Sequence, residues 1–436
     1  MTQPAATADA QLERALGVRQ LSAAIFNYTV GSGIFALPAV AVANLGAAAP
    51  LAYVVCMVIM ALVLLCFAEA GSRVSITGGP YAYVEVALGP FIGFIAGVML
   101  LLTGTTAGAA VAVIFAKSVT ALIPDAPTWL ATSIVIATIA LLVVANIRGV
   151  RNSARVIEGI TIAKIVPLIG FVVVGIFFID TDNFAWSETP SLTQVLSTAG
   201  IVIFAFSGIE SALTPSGEVK NPSRTVPLAS FIALAAATVL YLLIQGVALG
   251  IEGLALGNEK VTPLANAAQS FAGPIGKTIL IVGASISMLG YLSANILSVP
   301  RSWFALGRDG FLPAALSAVH SRFHSPHIAI VLHGIVIGAL ALSGTFEQLA
   351  VFANLTAFAL YLLCAIAVWV LRQRDVRSDG APFLMPGGPL IPIATALVSA
   401  GMIWATAGVQ DLVGLALATT AALAFYGVRA MRRRAP

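Results

Sequence analysis

The sequence YTVGSGIF, residues 28–35, lies in the middle of the first apolar segment that is long enough to cross a membrane. Glycine costs about 1 kcal/mol per residue in a helix interior, and backbone groups without a partner inside a bilayer are costly as well. A Gly-Ser-Gly run at this position therefore predicts a break in a membrane helix. Such breaks present bare N–H and C=O groups to small charged solutes.

The composition of the chain indicates a membrane protein. Of its 436 residues, 59% are hydrophobic and 9% are charged, which predicts a chain that crosses the membrane many times. Residues 1–19 carry charges but no apolar core followed by a cleavage site, so we predict a cytoplasmic tail rather than a signal peptide. The pI near 9.1 does not indicate nucleic-acid binding, because the basic residues flank apolar segments.

Apolar runs of about 20 residues or more predict twelve membrane helices, so the fold class is all-α integral membrane. The connections between them are short, which leaves no room for the soluble output domain of a sensor. The predicted helices are residues 20–43, 47–71, 90–121, 128–146, 154–179, 192–213, 226–251, 275–300, 327–344, 348–371, 389–408 and 412–430.

Lysine and arginine are concentrated in one set of connections between these helices. The other set holds Lys260 and Lys277 and is otherwise mainly acidic. The positive-inside rule therefore predicts a multi-pass protein of the inner (plasma) membrane with both termini in the cytoplasm. The basic set includes Arg14, Arg19, Arg73, Arg148, Arg151, Arg155, Lys220, Arg224, Arg301, Arg308, Arg322, Arg372, Arg374 and Arg377.

A second break is predicted in the sixth helix, at the sequence FSGIE, residues 206–210. The two broken helices are five helices apart, so the first runs outward and the sixth runs inward. This is the pattern of two inverted five-helix repeats, here residues 20–180 and 191–371. Helices 11 and 12, residues 389–430, lie outside the repeats, and residues 431–436 are predicted to form a cytoplasmic tail.

The two breaks offer complementary charges to a ligand. The outer half of helix 1 begins at its break, so its free N–H groups and the positive end of its dipole suit a carboxylate. The outer half of helix 6 ends at its break, where the carbonyls near Phe204, Ala205 and Ser207 suit an ammonium. Together they predict a site for the zwitterion of an α-amino acid. We expect Gly33→Val to abolish binding without preventing folding, because only a small side chain lets the substrate approach.

The glycines of helix 3 predict packing rather than binding. They recur at spacings of four, four, seven and four residues, which keeps one smooth face. Small residues of this kind let membrane helices pack closely. The five residues are Gly89, Gly93, Gly97, Gly104 and Gly108.

The chain contains, in this order, GSGIF, GGPYAYVEVALGP, FAFSGIES, GEVKNPSRTVP and ALGRDGFLP. This set, which covers residues 28–313, resembles the amino acid–polyamine–organocation (APC) superfamily of transporters, amino acid permease branch. The motifs occur in the same order in that family, and the twelve predicted helices match it. The resemblance implies two inverted five-helix repeats with alternating access to a site at the membrane midplane.

The resemblance also implies which residues form the site. The substrate carboxylate would contact the amides of Gly31, Ser32 and Gly33. The amino group would contact the carbonyls of Thr29, Phe204, Ala205 and Ser207. The rest of the site would be formed by Gly208, Ile209 and Asn295.

Three departures from a relative that exchanges arginine and agmatine bear on the substrate. That relative has tryptophans where Phe204 and Asn295 stand here, and an asparagine near Gly108. Phe204 still matches an aromatic position that covers the site from outside. We therefore expect a neutral amino acid rather than a cationic one.

Lys164 lies about 10 residues into helix 5, which places it near the midplane at about 1.5 Å per residue. A lysine at this depth is functional by default. In proton-coupled relatives a helix 5 lysine stands where sodium-coupled members of the fold bind Na⁺, so the resemblance implies proton coupling by Lys164. The alternative is a fixed ammonium that bonds the carbonyls of helix 1 near Gly31.

Two acidic residues near the membrane leave alternatives open. Ser207 and Glu210 have the S-x-x-E spacing of a capping box for the inner half of helix 6. Glu210 could instead sense protons or contact a cationic substrate. Glu69 ends helix 2 near the cytoplasm, where a salt bridge of a gate is one interpretation.

The remaining motifs exclude several classes of function. No nucleophile–base pair, phosphate-binding loop or cofactor motif is present, so neither an enzyme nor an ATP-driven pump is expected. His320, His324 and His327 share a loop but lack the paired cysteines or fixed helix of a metal site, so no metal is expected.

The predicted function is secondary active transport of amino acids, namely proton-coupled uptake of neutral amino acids. The alternative is an exchanger of amino acids, cationic amino acids or polyamines in the same fold. The expected partners are an amino acid substrate, protons and the lipid bilayer, with no cofactor and no nucleic acid.

Overall fold

The computed structural model describes residues 16–74, 78–148, 153–186, 188–213, 219–259, 261–323, 325–377 and 380–434, except for the side chains at 153–162, 211, 425 and 428–434. Within this part of the chain the secondary structure is helical, apart from one isolated bridge between Leu16 and Val219. Residues 1–15 of the predicted N-terminal tail lie outside the description, and so do residues 435 and 436.

The helices follow one another with short connections. The first part of the chain forms α1 (Val18–Thr29), α2 (Gly33–Leu45), α3 (Pro50–Arg73), α4 (Pro80–Leu88), α5 (Pro90–Thr120), α6 (Thr128–Arg148) and α7 (Ser153–Gly175). The second part forms α8 (Leu192–Val202), α9 (Ile209–Ala212), α10 (Pro222–Glu252), α11 (Pro263–Arg308), α12 (His327–Ser343) and α13 (Phe346–Gln373). The last two helices are α14 (Leu390–Thr406) and α15 (Val409–Arg434). Several begin with proline, whose fixed φ and missing N–H suit the first helical position.

Six of the described helices are long and apolar enough to cross a membrane on their own: α3, α5, α6, α10, α11 and α13. The pair α1 and α2 passes the same test as one span bent by 50°, which makes seven. Shorter apolar helices of 10–17 residues occur within α7, α12, α14 and α15 and in α8 with the turn that follows it. Each of the twelve predicted segments overlaps one of these helices, and the protein is a multi-pass membrane protein.

Two features differ from the sequence-based prediction. The segment after helix 2 is predicted as a connection, but it contains the short helix α4, which is preceded by Gly79 with φ 55. The eighth segment, predicted over 275–300, is only the middle of α11. The backbone kinks at Gly273, with φ 63, directly before Pro274, and this pair interrupts the apolar run in the sequence.

Contacts between helix ends define two opposite faces of the bundle. At the lower face, where α3, α6 and α13 end, the N–H of Lys220 donates to the carbonyl of Leu16 (2.9 Å). At the upper face, where α5, α7 and α10 end, the N–H of Asp180 donates to the carbonyl of Gly250 (2.8 Å). Both contacts join segments far apart in sequence, so they fix which helix ends lie together.

The predicted glycine face of helix 3 is confirmed as a packing surface. A methyl group added at Gly104 would lie 2.7 Å from Val299, so α5 and α11 approach closely there. Gly89 is the exception among the five, because it precedes α5 with φ 87 and has open space around it. The glycines that contact α4 or α11 are Gly93, Gly97, Gly104 and Gly108.

Candidate functional site

The first broken span bends at the YTVGSGIF segment. α1 ends at Thr29 and α2 begins at Gly33, and between them the N–H of Gly31 donates to the carbonyl of Thr29 (2.8 Å). Ser32 precedes α2 as its N-cap residue, and its hydroxyl is buried with no hydrogen-bond partner among the described residues. The N–H of Phe35 donates to the carbonyl of Ser32 (3.1 Å), so the N-terminus of α2 presents the N–H groups that precede Phe35 and a hydroxyl at the break.

Lys164 holds the other side of this break. The side chain comes from α7 and is 2% exposed, and its Nζ donates to the carbonyls of Asn27 (2.7 Å) and Val30 (2.8 Å). These oxygens lie at the end of α1, where carbonyls lack intrahelical partners and favour a cation. The Lys164 ammonium thus donates to carbonyls of helix 1. This geometry is compatible with both interpretations of Lys164, proton coupling and a fixed structural ammonium.

The second broken span unwinds over a longer segment. α8 passes into a 3-10 turn at Ile203–Phe206, Ser207 is extended, and Gly208 has φ 107. L-residues with a side chain rarely adopt that φ, so glycine is needed here. Asn354 of α13 donates from Nδ2 to the carbonyl of Gly200 (2.9 Å), which satisfies an oxygen freed at the end of α8. The break lies where the sequence predicts it.

Glu210 bonds the N–H group that the second break frees. Its Oε1 accepts from the N–H of Gly208 (3.1 Å) and its Oε2 accepts from the hydroxyl of Tyr361 (3.1 Å). Ser207 Oγ instead donates to the carbonyl of Ile203 (3.4 Å). The predicted Ser207–Glu210 capping box is therefore not formed, because the helix begins at Ile209 and Glu210 bonds the N–H of Gly208 rather than that of Ser207.

The two breaks touch each other at Gly33 and Ala205. A Cβ added to Gly33 would lie 2.6 Å from the Cα of Ala205, so the backbone would have to move. This close approach argues against the expectation that Gly33→Val leaves the fold intact, since this glycine packs one break against the other. Gly31 differs, because an added Cβ would lie 3.6 Å from Tyr291, which is an ordinary contact.

Tyr241 of α10 joins the two breaks and is absent from the predicted site. Its buried hydroxyl lies 2.8 Å from the carbonyl oxygen of Thr29 and 2.8 Å from that of Ala205. One phenolic hydrogen is thus shared by two carbonyls. The Ala205 carbonyl keeps a further lone pair, whereas the Thr29 carbonyl also accepts from the N–H of Gly31 (2.8 Å). Both carbonyls belong to the set predicted to bind a substrate amino group. A single tyrosine in an apolar helix gives no sequence signal for such partners.

Phe204 packs on the upper side of the second break. Its ring meets Phe346 edge-to-face with the centroids 5.6 Å apart, and both residues are buried. Phe346 is the first residue of α13, at the upper face. The aromatic pair therefore lies between the breaks and that face. Ile209, which starts α9, is also fully buried.

Asn295 makes its polar contacts with α5 and α12. Its Nδ2 donates to the carbonyl of Gly104 (2.8 Å), and its Oδ1 lies 3.0 Å from Nε2 of His333. Both ends of the amide are therefore engaged between three helices rather than unpaired in a binding site. His333, fully buried in α12, is a further polar residue that the sequence analysis does not identify.

The described residues form neither a metal site nor a disulfide. Within the described ranges, no group of three or more His, Cys, Asp or Glu residues could hold a metal ion. His324, one of the loop histidines, lies outside those ranges. The three cysteines are buried free thiols. Lys164, Tyr241 and Glu210 instead bring buried polar groups to the two breaks.

Two opposed half-helix ends beside a buried cation, in a multi-pass membrane protein, are typical of a transporter with discontinuous helices. The family described as amino acid permease matches residues 16–427. The chain belongs to this family, and so to the APC superfamily that its motifs resemble.

Similar proteins cover nearly the whole chain. The methylthioribose transporter of Bacillus subtilis (strain 168) is 30% identical over 417 residues, which is 92% of this chain and 90% of that protein. The branched-chain amino acid permease BcaP of the same organism is 26% identical over 409 residues, 89% and 87% of the two chains. Its serine/threonine exchanger SteT is 29% identical over 431 residues, 94% and 96%. The relatives are transporters, and this protein is not an enzyme.

Proposed function

We propose that this protein takes up neutral amino acids across the plasma membrane by proton-coupled, secondary active transport with alternating access. The proposal includes twelve spans, with α1–α7 and α8–α13 as inverted repeats and α14 and α15 outside them. What carries it is the close approach of Gly33 to Ala205, which puts the N-terminal end of α2 beside the 3-10 turn that follows the C-terminal end of α8. Such opposed ends suit a zwitterion.

We place the lower face in the cytoplasm. Most basic residues of the described ranges lie in connections and helix ends at that face, which the positive-inside rule assigns to the cytoplasm. Both termini then lie inside. The supporting residues are Arg73, Arg148, Lys220, Arg224, Arg301, Arg308, Arg322, Arg372, Arg374 and Arg377.

The carboxylate is proposed to bind at the N-terminus of α2. A buried hydroxyl without a partner, such as that of Ser32 among the described residues, is unfavourable until an acceptor or donor completes it. A carboxylate supplies acceptors for this hydroxyl and for the N–H groups of the first turn. The amino group is proposed to bind the remaining lone pair of the Ala205 carbonyl beside Tyr241. At the Thr29 carbonyl it would replace one of the two present donors, Tyr241 or the N–H of Gly31.

The surroundings of the breaks favour a neutral side chain. Phe204 and Ile209 are apolar, and the acid of the second break, Glu210, already accepts from Gly208 and Tyr361. A cationic side chain would have to compete with both donors for that carboxylate. Small and medium apolar amino acids need no such competition.

Two alternatives have support from named relatives. SteT is a serine/threonine exchanger, so exchange of amino acids, with cationic amino acids or polyamines as further candidates, is the first. The methylthioribose transporter suggests the second, an uncharged thioether sugar that has no carboxylate. The two alternatives make different demands on the breaks, so ligand selectivity separates them.

Lys164 is proposed to couple protons to transport. Its ammonium holds the end of α1 through Asn27 and Val30. Loss of the proton would remove the charge and one donor, so α1 would be held less tightly and the lower face would open more readily. Glu210, whose carboxylate bonds the second break, is the second candidate for a coupled proton.

The substrate class is tested by a thermal-shift panel of amino acids, their amides, putrescine and methylthioribose. A ligand at 100 times its Kd stabilises the folded state by about 2.7 kcal/mol. We expect apolar amino acids to raise the melting temperature and their amides to have no effect. Equal shifts with acid and amide would refute the carboxylate site. A larger shift with arginine or putrescine would reassign the class, and a shift with methylthioribose alone would support the sugar.

The coupling is tested in sodium-free proteoliposomes under an inward proton gradient. The wild type should accumulate substrate, whereas Lys164→Ala should not, even where it still exchanges substrate across the membrane. Accumulation by the variant would make Lys164 structural and move the coupling to Glu210. A wild type that exchanges but never accumulates would establish the exchanger alternative.

A further inference from the structure

Glu69, at the lower end of α3, gathers donors from three parts of the chain. Its carboxylate is fully buried. Oε1 accepts from Nε of Arg73 (3.0 Å) and Nε of Arg372 (2.8 Å), while Oε2 accepts from Nη2 of Arg372 and from the N–H of Met385 (3.0 Å). These four residues, which we call the clasp, join α3, α13 and the connection between α13 and α14.

The same connection is attached to the bundle at two further points. The N–H of Phe383 donates to Oγ of Ser72 on α3 (3.0 Å). Nη1 of Arg374 donates to the carbonyl of Ala87 in α4 (2.9 Å). The segment after α13 therefore lies across the lower ends of α3 and α4 and covers the clasp.

α13 links the clasp to the second break. Tyr361 on this helix donates to Glu210 (3.1 Å), and its ring packs edge-to-face on Phe67 of α3 with the centroids 5.6 Å apart. Arg372 lies eleven residues further along α13, or roughly 16 Å. A movement that separates α13 from α3 at the lower face must therefore separate Arg372 from Glu69.

The chemistry of the clasp suits a contact that opens and closes. Apolar side chains of similar volume hold two helices at least as well as a buried ion pair does. They would, however, expose apolar surface to water each time the contact opened. Carboxylate and guanidinium groups are well hydrated once exposed, so an ionic contact can be exchanged for water and formed again.

We propose that the clasp is the latch of the cytoplasmic side: it keeps α13 on α3 while that side is closed, and it separates in each transport cycle. The inference rests on the proposed function, because only a transporter must open this side. The aromatic pair Phe204 and Phe346 lies on the opposite side of the breaks. The clasp and the aromatic pair thus lie on opposite routes to the same site, the clasp on the cytoplasmic side and the aromatic pair on the outer side.

Two native cysteines report on the latch without added labels. Sγ of Cys364 on α13 lies 3.8 Å from the carbonyl of Pro80 at the start of α4, so separation of α13 from its neighbours exposes it. Sγ of Cys56 on α3 donates to the carbonyl of Ala199 on α8 (3.3 Å) and should stay protected unless the protein unfolds. Both thiols are buried in the closed structure.

The experiment measures modification of both cysteines by N-ethylmaleimide in the full-length protein, located by mass spectrometry of peptides. Glu69→Gln should raise the rate at Cys364 by about tenfold and leave Cys56 protected. Arg372→Lys, which keeps the charge but loses the paired donors, should give a smaller increase. Arg377→Gln is the matched control. Arg377 is a suitable control because its side chain is 59% exposed and pairs with the exposed Asp375 rather than with Glu69. This hydrogen bond lowers the pKa of the Asp375 carboxyl.

Each outcome decides the proposal. Faster labelling of Cys364 alone in both clasp variants supports a latch. Rates equal to those of Arg377→Gln, or parallel labelling of Cys364 and Cys56 in both variants, would show a purely structural tie and overturn it. The labelling assay needs no substrate, so its result is independent of the thermal-shift panel. A negative panel would refute the proposed function without changing the labelling rates.

Discussion

The two breaks differ in the origin of their hydrogen-bond partners. At the first break, carbonyls of α1 are bonded by Lys164 of α7 and Tyr241 of α10. At the second, the freed N–H of Gly208 is bonded by Glu210 from the same turn. The hydroxyl of Ser32, at the first break, has no partner among the described residues. The freed N–H of the second break is thus bonded within its own segment, although its carbonyls are bonded by Tyr241 and Asn354 from other helices. The first break depends on distant helices and retains a group that a ligand can complete.

The largest effect is expected where the breaks touch. Gly33→Val should cost about 1–3 kcal/mol of stability or more, because its Cβ would collide with the Ala205 backbone. Gly31→Ala should fold normally, since it meets only an ordinary contact. Melting temperature and size-exclusion profile in detergent measure both variants. A normally folded Gly33→Val would show that the breaks can move apart at little cost.

Loss of the shared hydroxyl is expected to come next. Tyr241→Phe leaves the carbonyls of Thr29 and Ala205 without this donor and should destabilise the protein by about 1–3 kcal/mol. Tyr53→Phe is the control, because the Tyr53 hydroxyl is buried without a partner in the described structure and its ring lies 6.3 Å from that of Tyr241. Thermal unfolding of the two variants compares them. Equal stabilities would mean that Tyr241 does not hold the breaks together.

Glu210→Gln should change stability by less than about 1 kcal/mol, because the amide oxygen can still accept from Gly208 and the amide nitrogen can donate to Tyr361. Glu210→Ala should cost more, because it leaves both donors unpaired. Thermal unfolding distinguishes the two. If both variants were equally unstable, the charge rather than the hydrogen bonds would hold the second break.

The smallest effect on the ligand-free protein is expected at Ser32. Ser32→Ala removes a hydroxyl without a described partner, so stability should stay within about 0.5 kcal/mol of the wild type or rise slightly. The shift produced by an amino acid should nevertheless decrease, because the proposed carboxylate contact is lost. Thermal-shift titrations measure both quantities. An unchanged ligand shift would separate Ser32 from the binding site.

The positions of the breaks could be predicted from sequence because glycine is costly in a helix and its effect is local. The helix 3 packing surface could be predicted for the same reason, since its periodicity lies within one helix. α4 was missed because a helix of 9 residues has no membrane-length signal. The continuation of α11 was missed because Gly273 and Pro274 interrupt the apolar pattern while the helix resumes after a kink.

The partners of the breaks could not be predicted because they are distant in sequence. Tyr241 and Thr29 are 212 residues apart, and Lys164 and Val30 are 134 apart. Gly33 shows the same limit: its sequence context indicates backbone freedom, but the neighbour that requires a glycine, Ala205, lies far along the chain in the second broken span. Asn295 was placed in the site by resemblance, whereas its amide is engaged by α5 and by His333.

The separation of Glu69 and Arg372 has a consequence for biosynthesis. They are 303 residues apart, so at 5–20 residues per second a ribosome adds the second roughly 15–60 s after the first. During this interval α3 enters the membrane with its carboxylate lacking the partner that later encloses it. Arg73, one turn away on the same helix, is already present and neutralises the charge. The ion pair between Arg73 and Glu69 thus keeps the Glu69 carboxylate paired in the nascent helix until Arg372 has been synthesised.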